Sequence, residues 1–270
     1  MSLIQKYQIT PRYLTGPSRR RPRVPLSPGA KFLVAHDTGN PGSRAAQNVA
    51  YYERTRNEQE ASAHIFVDDR EILECIPALT AAAEKAHHVR NSVARDNQLF
   101  GFNANDAAIA VEYCFGGPIN ADAAYDKYVW VLARLCHEFD LDPRTLIVGH
   151  FFLDPTRRTD PTTGLASSRR TYDQLLRDVA ADYDGMRAEA SQQPVPGTIF
   201  PPAGNVITTA RLNIRQGAPH TRAPISQTVA AGTRLAYNQV VRNGESVNGN
   251  QVWLGDANGN YFWSGATQPT

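Results

Sequence analysis

The chain has 270 residues, 41% of them hydrophobic, which is enough for one medium domain with a buried core and a second, small one. Its formal net charge of +2, from 28 Lys and Arg against 26 Asp and Glu, is too small an excess to argue for a nucleic-acid partner. No apolar run approaches the roughly 20 residues needed to span a bilayer, so a membrane partner is not expected either.

Three cysteines, Cys75, Cys114 and Cys136, are odd in number, widely spaced and set in apolar sequence. They read as buried free thiols, not as a disulfide framework or a Cys-rich zinc site. The opening MSLIQKYQITPRYL has no uninterrupted apolar stretch of the signal-peptide kind, so synthesis in the cytoplasm without a signal peptide is expected. Nothing in the sequence reads out an oligomeric state.

In chain order, the segment to about Pro28 is polar and carries the basic run SRRRPR at 18–23, readable as an electrostatic tether or as a solvated surface loop. KFLVAH is a strand ending at His36, followed by the turn-rich DTGNPGS and a helix over about 44–55. AHIFVDD turns through Asp69 and Arg70 into EILECIP, a β-hairpin. The stretch 80–106 is polar and irregular, with His87, His88 and NANDAA. AAIAVEYCF is a strand carrying Glu112, and 121–139 is a long helix with apolar positions at helical spacing. LDPRT turns into the strand TLIVGH, ending at His150, and a last helix over about 171–186 closes the domain. Strands interleaved with helices predict an α/β fold, a central mixed sheet flanked by helices.

Composition then changes. RAEASQQPVPGTIFPPAGN, 187–205, is rich in Pro, Gln, Ala and Gly and reads as an extended linker. Beyond it, ARLNIRQG, QTVAAGTRLAYNQVV, QVWLGD and NYFWSG are short alternating runs between Gly, Asn and Pro turns, predicting a small all-β module over 206–270. Its aromatics Tyr237, Trp253, Tyr261, Phe262 and Trp263 could line a ligand groove, although in so small a barrel most of them belong in the core.

The chemistry concentrates at strand ends. Short Val-, Ile-, Leu- and Ala-rich runs without alternation are strands covered on both faces, and the carboxyl ends of such strands are where open α/β sheets bind ligands. His36, Glu112 and His150 each terminate one of these runs, and Asp160 follows His150 on a loop long enough to return. A catalytic zinc takes three N, S or O ligands and leaves a fourth position open, a requirement that His36, His150 and Asp160 meet. Asp154 is a competing carboxylate, but Pro155 after it favours a turn. Glu112 would be the proton carrier and Arg158, two residues before Asp160, the fixed cation for an oxyanion. The plainer alternatives are core histidines, a surface Glu112, and an Arg157 or Arg158 that only pairs with Asp154.

VAHDTGN, ASAHIFVDD, EKAHHV, NDAAIAVE and IVGHFFLDPTRRTDP, in that order over about 32–178, resemble the zinc-dependent N-acetylmuramoyl-L-alanine amidases shared by phage endolysins, bacterial autolysins and peptidoglycan recognition proteins. The resemblance implies one zinc on His36, His150 and Asp160, Glu112 as catalytic acid/base, and His64 and His88 as residues near the cleft that contact substrate or support the ligands. A Lys is usual in the family where Arg158 stands. It further implies a catalytic domain over 1–186, peptidoglycan as partner, and hydrolysis of the amide joining N-acetylmuramic acid to L-alanine, outside the cell that makes the protein. The 206–270 module resembles bacterial SH3 domains, which implies wall binding. Two other readings stay open: a non-catalytic peptidoglycan-binding protein, and a zinc peptidase cutting within the stem peptide or cross-bridge.

Overall fold

The computed structural model describes residues 2–192 and 200–270, in two compact units, Met1–Glu189 and Ala190–Thr270. In the first unit the strands are β1 (Ile9–Pro11), β2 (Phe32–Asp37), β3 (Ile65–Val67), β4 (Ile72–Glu74), β5 (Ala108–Tyr113) and β6 (Ile147–Gly149). They form one sheet in the order β1-β4-β3-β5-β2-β6. Only the β3–β4 hairpin is antiparallel; the pairs β1–β4, β3–β5, β5–β2 and β2–β6 are parallel, so the sheet is mixed. Every residue of β2 is buried, which is why its sequence shows no alternation of polarity.

The helices are α1 (Ala45–Arg54), α2 (Arg95–Phe100), α3 (Ala104–Ala107), α4 (Ala121–Phe139), α5 (His150–Leu153), α6 (Thr162–Ser167) and α7 (Tyr172–Gln192). Asn120 caps α4 by accepting from the Ala123 N–H, and Asp140 ends it in the left-handed conformation at φ 52°. Leu33 and Ala35 of β2 pack into the main core with Tyr128, Leu132 and Leu135 of α4 and Leu175 and Val179 of α7. Phe32 and Val34, pointing the other way, join Val89, Ala104, Ala108, Val148 and Leu153 in a smaller cluster. Alternation therefore brings His36 out on the face covered by the 86–107 segment, which the sequence marked as irregular but which holds the short helices α2 and α3, instead of the face covered by the long helices. Among the described residues no helix is long and apolar enough to cross a membrane.

Two expectations need correction. The last helix of the unit continues to Gln192, six residues past the point where the Pro- and Gln-rich composition placed its end. The predicted linker 187–205 is thus helical at its start, and its residues 193–199 lie outside the described residues. The basic run is only partly a solvated loop: Arg19 and Arg23 are exposed, but Arg20 and Arg21 are 1% and 6% exposed. Arg20 donates to Thr55 Oγ1 (2.9 and 3.1 Å), Gln59 Oε1 (3.1 Å) and the Ala61 carbonyl, and lies over the Tyr52 ring at 4.2 Å. Arg21 grips Glu84 through two 2.8 Å bonds and donates to the Leu14 carbonyl. These two arginines fasten the N-terminal segment to the end of α1 and to Glu84, and their charge is spent inside the protein.

The second unit is all-β. Strands β7 (Gly204–Thr208), β8 (Leu212–Gln216), β9 (Ile225–Val229), β10 (Arg234–Tyr237), β11 (Gln239–Val241), β12 (Trp253–Gly255), β13 (Asn260–Trp263) and β14 (Thr267–Pro269) make two antiparallel sheets, β10-β7-β14 and β11-β12-β13-β8-β9. Val206, Ile214, Tyr237, Leu254 and Phe262 are among its core. Of the five aromatics singled out in the sequence, Tyr237, Trp253 and Phe262 are buried, while Tyr261 and Trp263 are half-buried.

Candidate metal centre

Register explains how the site assembles. In the parallel pair β2–β5, His36 stands opposite Glu112; in β2–β6, Ala35 stands opposite Gly149, so His150 leaves the sheet one step on, beside His36. Three adjacent strands thereby deliver His36, Glu112 and His150 to one rim. From His150 the chain runs through α5 and a loop, and the Phe151 N–H donates to the Asp160 carbonyl at 3.0 Å, which closes the excursion. The Asp160 carboxylate returns to both histidines: its Oδ2 lies 2.9 Å from His36 Nδ1 and 3.0 Å from His150 Nδ1.

Neighbouring side chains hold this arrangement. Tyr128 donates its hydroxyl to the His36 carbonyl at 3.0 Å. Asp37 Oδ2 accepts from the Gly164 N–H at 2.7 Å, tying α6, just past Asp160, to the end of β2. That approach requires glycine, since a Cβ on Gly164 would sit 2.7 Å from the Asp37 Cβ and 3.0 Å from the rings of Tyr113 and Phe115.

His36, His150 and Asp160 are all buried, and one ligand atom of each lies within 4.8 Å of the others. Two imidazole nitrogens and a carboxylate are a donor set zinc takes, and the 2.9–3.0 Å gaps are close to the ~3.3 Å between neighbouring ligand atoms around a tetrahedral ion with bonds of ~2.0 Å. The residues fit a metal ion in both chemistry and spacing. Burial pushes His36 down to about 4, leaving it neutral, as a ligand must be. Burial works to raise the Asp160 carboxyl, but the close approach of the His150 and His36 rings outweighs that and holds it well below the usual carboxylate range.

Glu112 is half-buried, and its Oε2 is inaccessible with no hydrogen-bond partner. Burial raises its proton affinity well above the ordinary carboxylate value; the charges of Asp160 and Asp37 add to this, and Arg158 opposes it. Arg157, not Arg158, pairs with Asp154, through bonds of 2.8 and 2.6 Å. Asp154 is thus a turn residue occupied by its neighbour, and exposed Arg158 makes no ion pair among the described residues.

His64 and His88, the other two histidines singled out in the sequence, are both buried. His64 is 0% exposed; its Nδ1 accepts from the Ala110 N–H at 3.0 Å and its Nε2 donates to the Glu84 carbonyl at 2.8 Å, so neither nitrogen is left for a ligand. His88 is also buried, with Nε2 3.1 Å from the Ala104 carbonyl and Nδ1 3.2 Å from His36 Nε2. It therefore touches a candidate ligand and not open cleft. Sequence reasoning gave no role to Asp37, Tyr128, Gly164 or Asn105. Asp37 and Asn105 lie inside motifs quoted for other reasons, VAHDTGN and NDAAIAVE, whereas Tyr128 and Gly164 leave no local signal.

The family model for N-acetylmuramoyl-L-alanine amidase (Amidase_2) matches residues 26–163, a span holding every candidate site residue, and the chain belongs to this family. The N-acetylmuramoyl-L-alanine amidase BlyA of Bacillus subtilis (strain 168) is 33% identical over 160 residues, 57% of this chain and 42% of that protein. The chain thus spans about two-fifths of the length of this relative. The crystal structure of the Staphylococcus aureus hydrolase AmiA in complex with its ligand is alike in fold at 20% identity, with a TM-score of 0.55 over 67% of this chain and 86% of that one.

Proposed function

We propose that the protein is a zinc-dependent peptidoglycan hydrolase that cleaves the amide between the lactyl group of N-acetylmuramic acid and the L-alanine of the stem peptide. The observation that carries this is the meeting of His36 Nδ1, His150 Nδ1 and Asp160 Oδ2 one strand away from Glu112 in register. His36, His150 and Asp160 would hold the ion, and when bound it supplies Lewis acidity toward a water and toward the scissile carbonyl.

The protein's own groups do the rest. Glu112, with an unpartnered oxygen and a raised proton affinity, takes the proton of the attacking water and delivers it to the departing alanine nitrogen. Arg158, unpaired and within electrostatic reach of Glu112 and His36, places a permanent positive charge where negative charge develops on the carbonyl oxygen. As an Arg it cannot give up a proton, so its contribution is electrostatic. The 206–270 unit is assigned as an SH3-like wall-binding module that raises local substrate concentration, and the place of action is the bacterial wall.

Product chemistry tests the proposal. Purified walls digested by the protein should release new L-alanine amino termini without new reducing sugar, and chelation should stop this together with loss of one zinc per chain. A different new terminus would identify a peptidase, and binding with neither product a non-catalytic receptor.

A further inference from the structure

The hydrogen-bond geometry around His36 dictates which of its nitrogens is free for an ion. His88 Nε2 faces the Ala104 carbonyl at 3.1 Å, and a carbonyl only accepts, so His88 Nε2 carries the proton. A neutral His88 then presents a bare Nδ1 to His36 Nε2 at 3.2 Å, and that contact holds only if His36 Nε2 carries a proton. His36 is left with a lone pair on Nδ1, which faces the Asp160 carboxylate at 2.9 Å. A lone pair against an anionic oxygen is repulsive unless a cation lies between them.

The support for this chain of groups is rigid. Asn105, 1% exposed, accepts from the backbone N–H groups of His88 (2.8 Å) and Val89 (2.9 Å) and donates to the Val89 carbonyl (2.7 Å), fixing the turn that carries His88. His64 does not compete for the bridging proton, since both its nitrogens are engaged elsewhere.

We propose that His88 is a positioning residue which, anchored on the Ala104 carbonyl and held by Asn105, keeps His36 in the tautomer whose Nδ1 lone pair faces Asp160 and His150. It would bind nothing itself, and its effect would be on how well the cluster holds the ion. The inference rests on the zinc reading above.

The test uses the full chain, with zinc affinity measured by competition against a chromophoric chelator. The wild type should bind one zinc. His88→Leu, which keeps apolar bulk but no acceptor, should bind zinc 10- to 100-fold more weakly. His88→Asn, whose side-chain oxygen can still accept from His36 Nε2, should recover most of that loss; a merely space-filling role would not separate these two variants. In zinc-loaded wild type, nitrogen-edited NMR should show a protected ring proton on His36 Nε2, a measurement that needs no substitution and stands even if a variant fails to fold. Folded His88→Leu binding zinc within twofold of wild type, or a His36 ring protonated on Nδ1 in the loaded protein, would overturn the inference while leaving the zinc reading intact. A wild type that binds no zinc would sink both.

Discussion

Glu112→Gln should do two opposite things. Gln keeps the shape and bulk but cannot carry the proton, so kcat on purified walls should fall by about 10²- to 10⁴-fold, a barrier rise of about 3–5 kcal/mol, with zinc content unchanged. In chelated protein the same substitution should stabilise the fold. Glu112 has a buried oxygen without a partner, and its folded state binds the proton more tightly than the unfolded chain, whose ordinary value is 4.5. The stability it contributes is complete below that value and is lost as pH rises through the higher, folded value. Wild type and variant should therefore melt alike near pH 4 and diverge above it, the variant leading at neutral pH. The more tightly the folded state holds the Glu112 proton, the larger the variant's lead at neutral pH. Melts from pH 4 to 8 followed by circular dichroism, paired with wall digestion, read both effects. A variant with near-normal turnover, or one less stable than wild type at pH 7 when chelated, would refute the account of Glu112 as a proton carrier kept at a cost to stability.

Arg158→Ala should lower kcat by about 10²- to 10³-fold at unchanged zinc content, with Arg158→Lys retaining most of the activity, because the role assigned is fixed charge; wall-digestion kinetics of the two variants decide this. Gly164→Ala should separate α6 from Asp37 and shift Asp160, weakening zinc binding at least tenfold; equilibrium dialysis checks it. Arg20→Ala removes a buried guanidinium and leaves the Gln59 and Ala61 acceptors without it, and it should cost about 3 kcal/mol in a denaturant melt with little change in kcat. A mere surface cation would show no such loss.

Much of the frame of the site is legible in the sequence. Strands covered on both faces must be continuously apolar, so FLVAH, AAIAVE and LIVGH stand out with their chemically active last residues visible, and α4 declares itself through apolar spacing. These are local consequences of burial and backbone geometry, carried by neighbours in the chain. What only the tertiary structure decided are pairings between distant segments. The sequence alone left open whether Arg157 or Arg158 pairs with Asp154, and the fold gave Asp154 the first. It marked His64 and His88 alike, and the folded chain spent one on Ala110 and Glu84 and set the other against His36. It offered a basic run, and the fold buried two of its arginines against α1 and Glu84. A side chain's partner depends on which strands become neighbours and in what register, and the same polar residue is a ligand, a strut or a solvated charge according to what arrives opposite it.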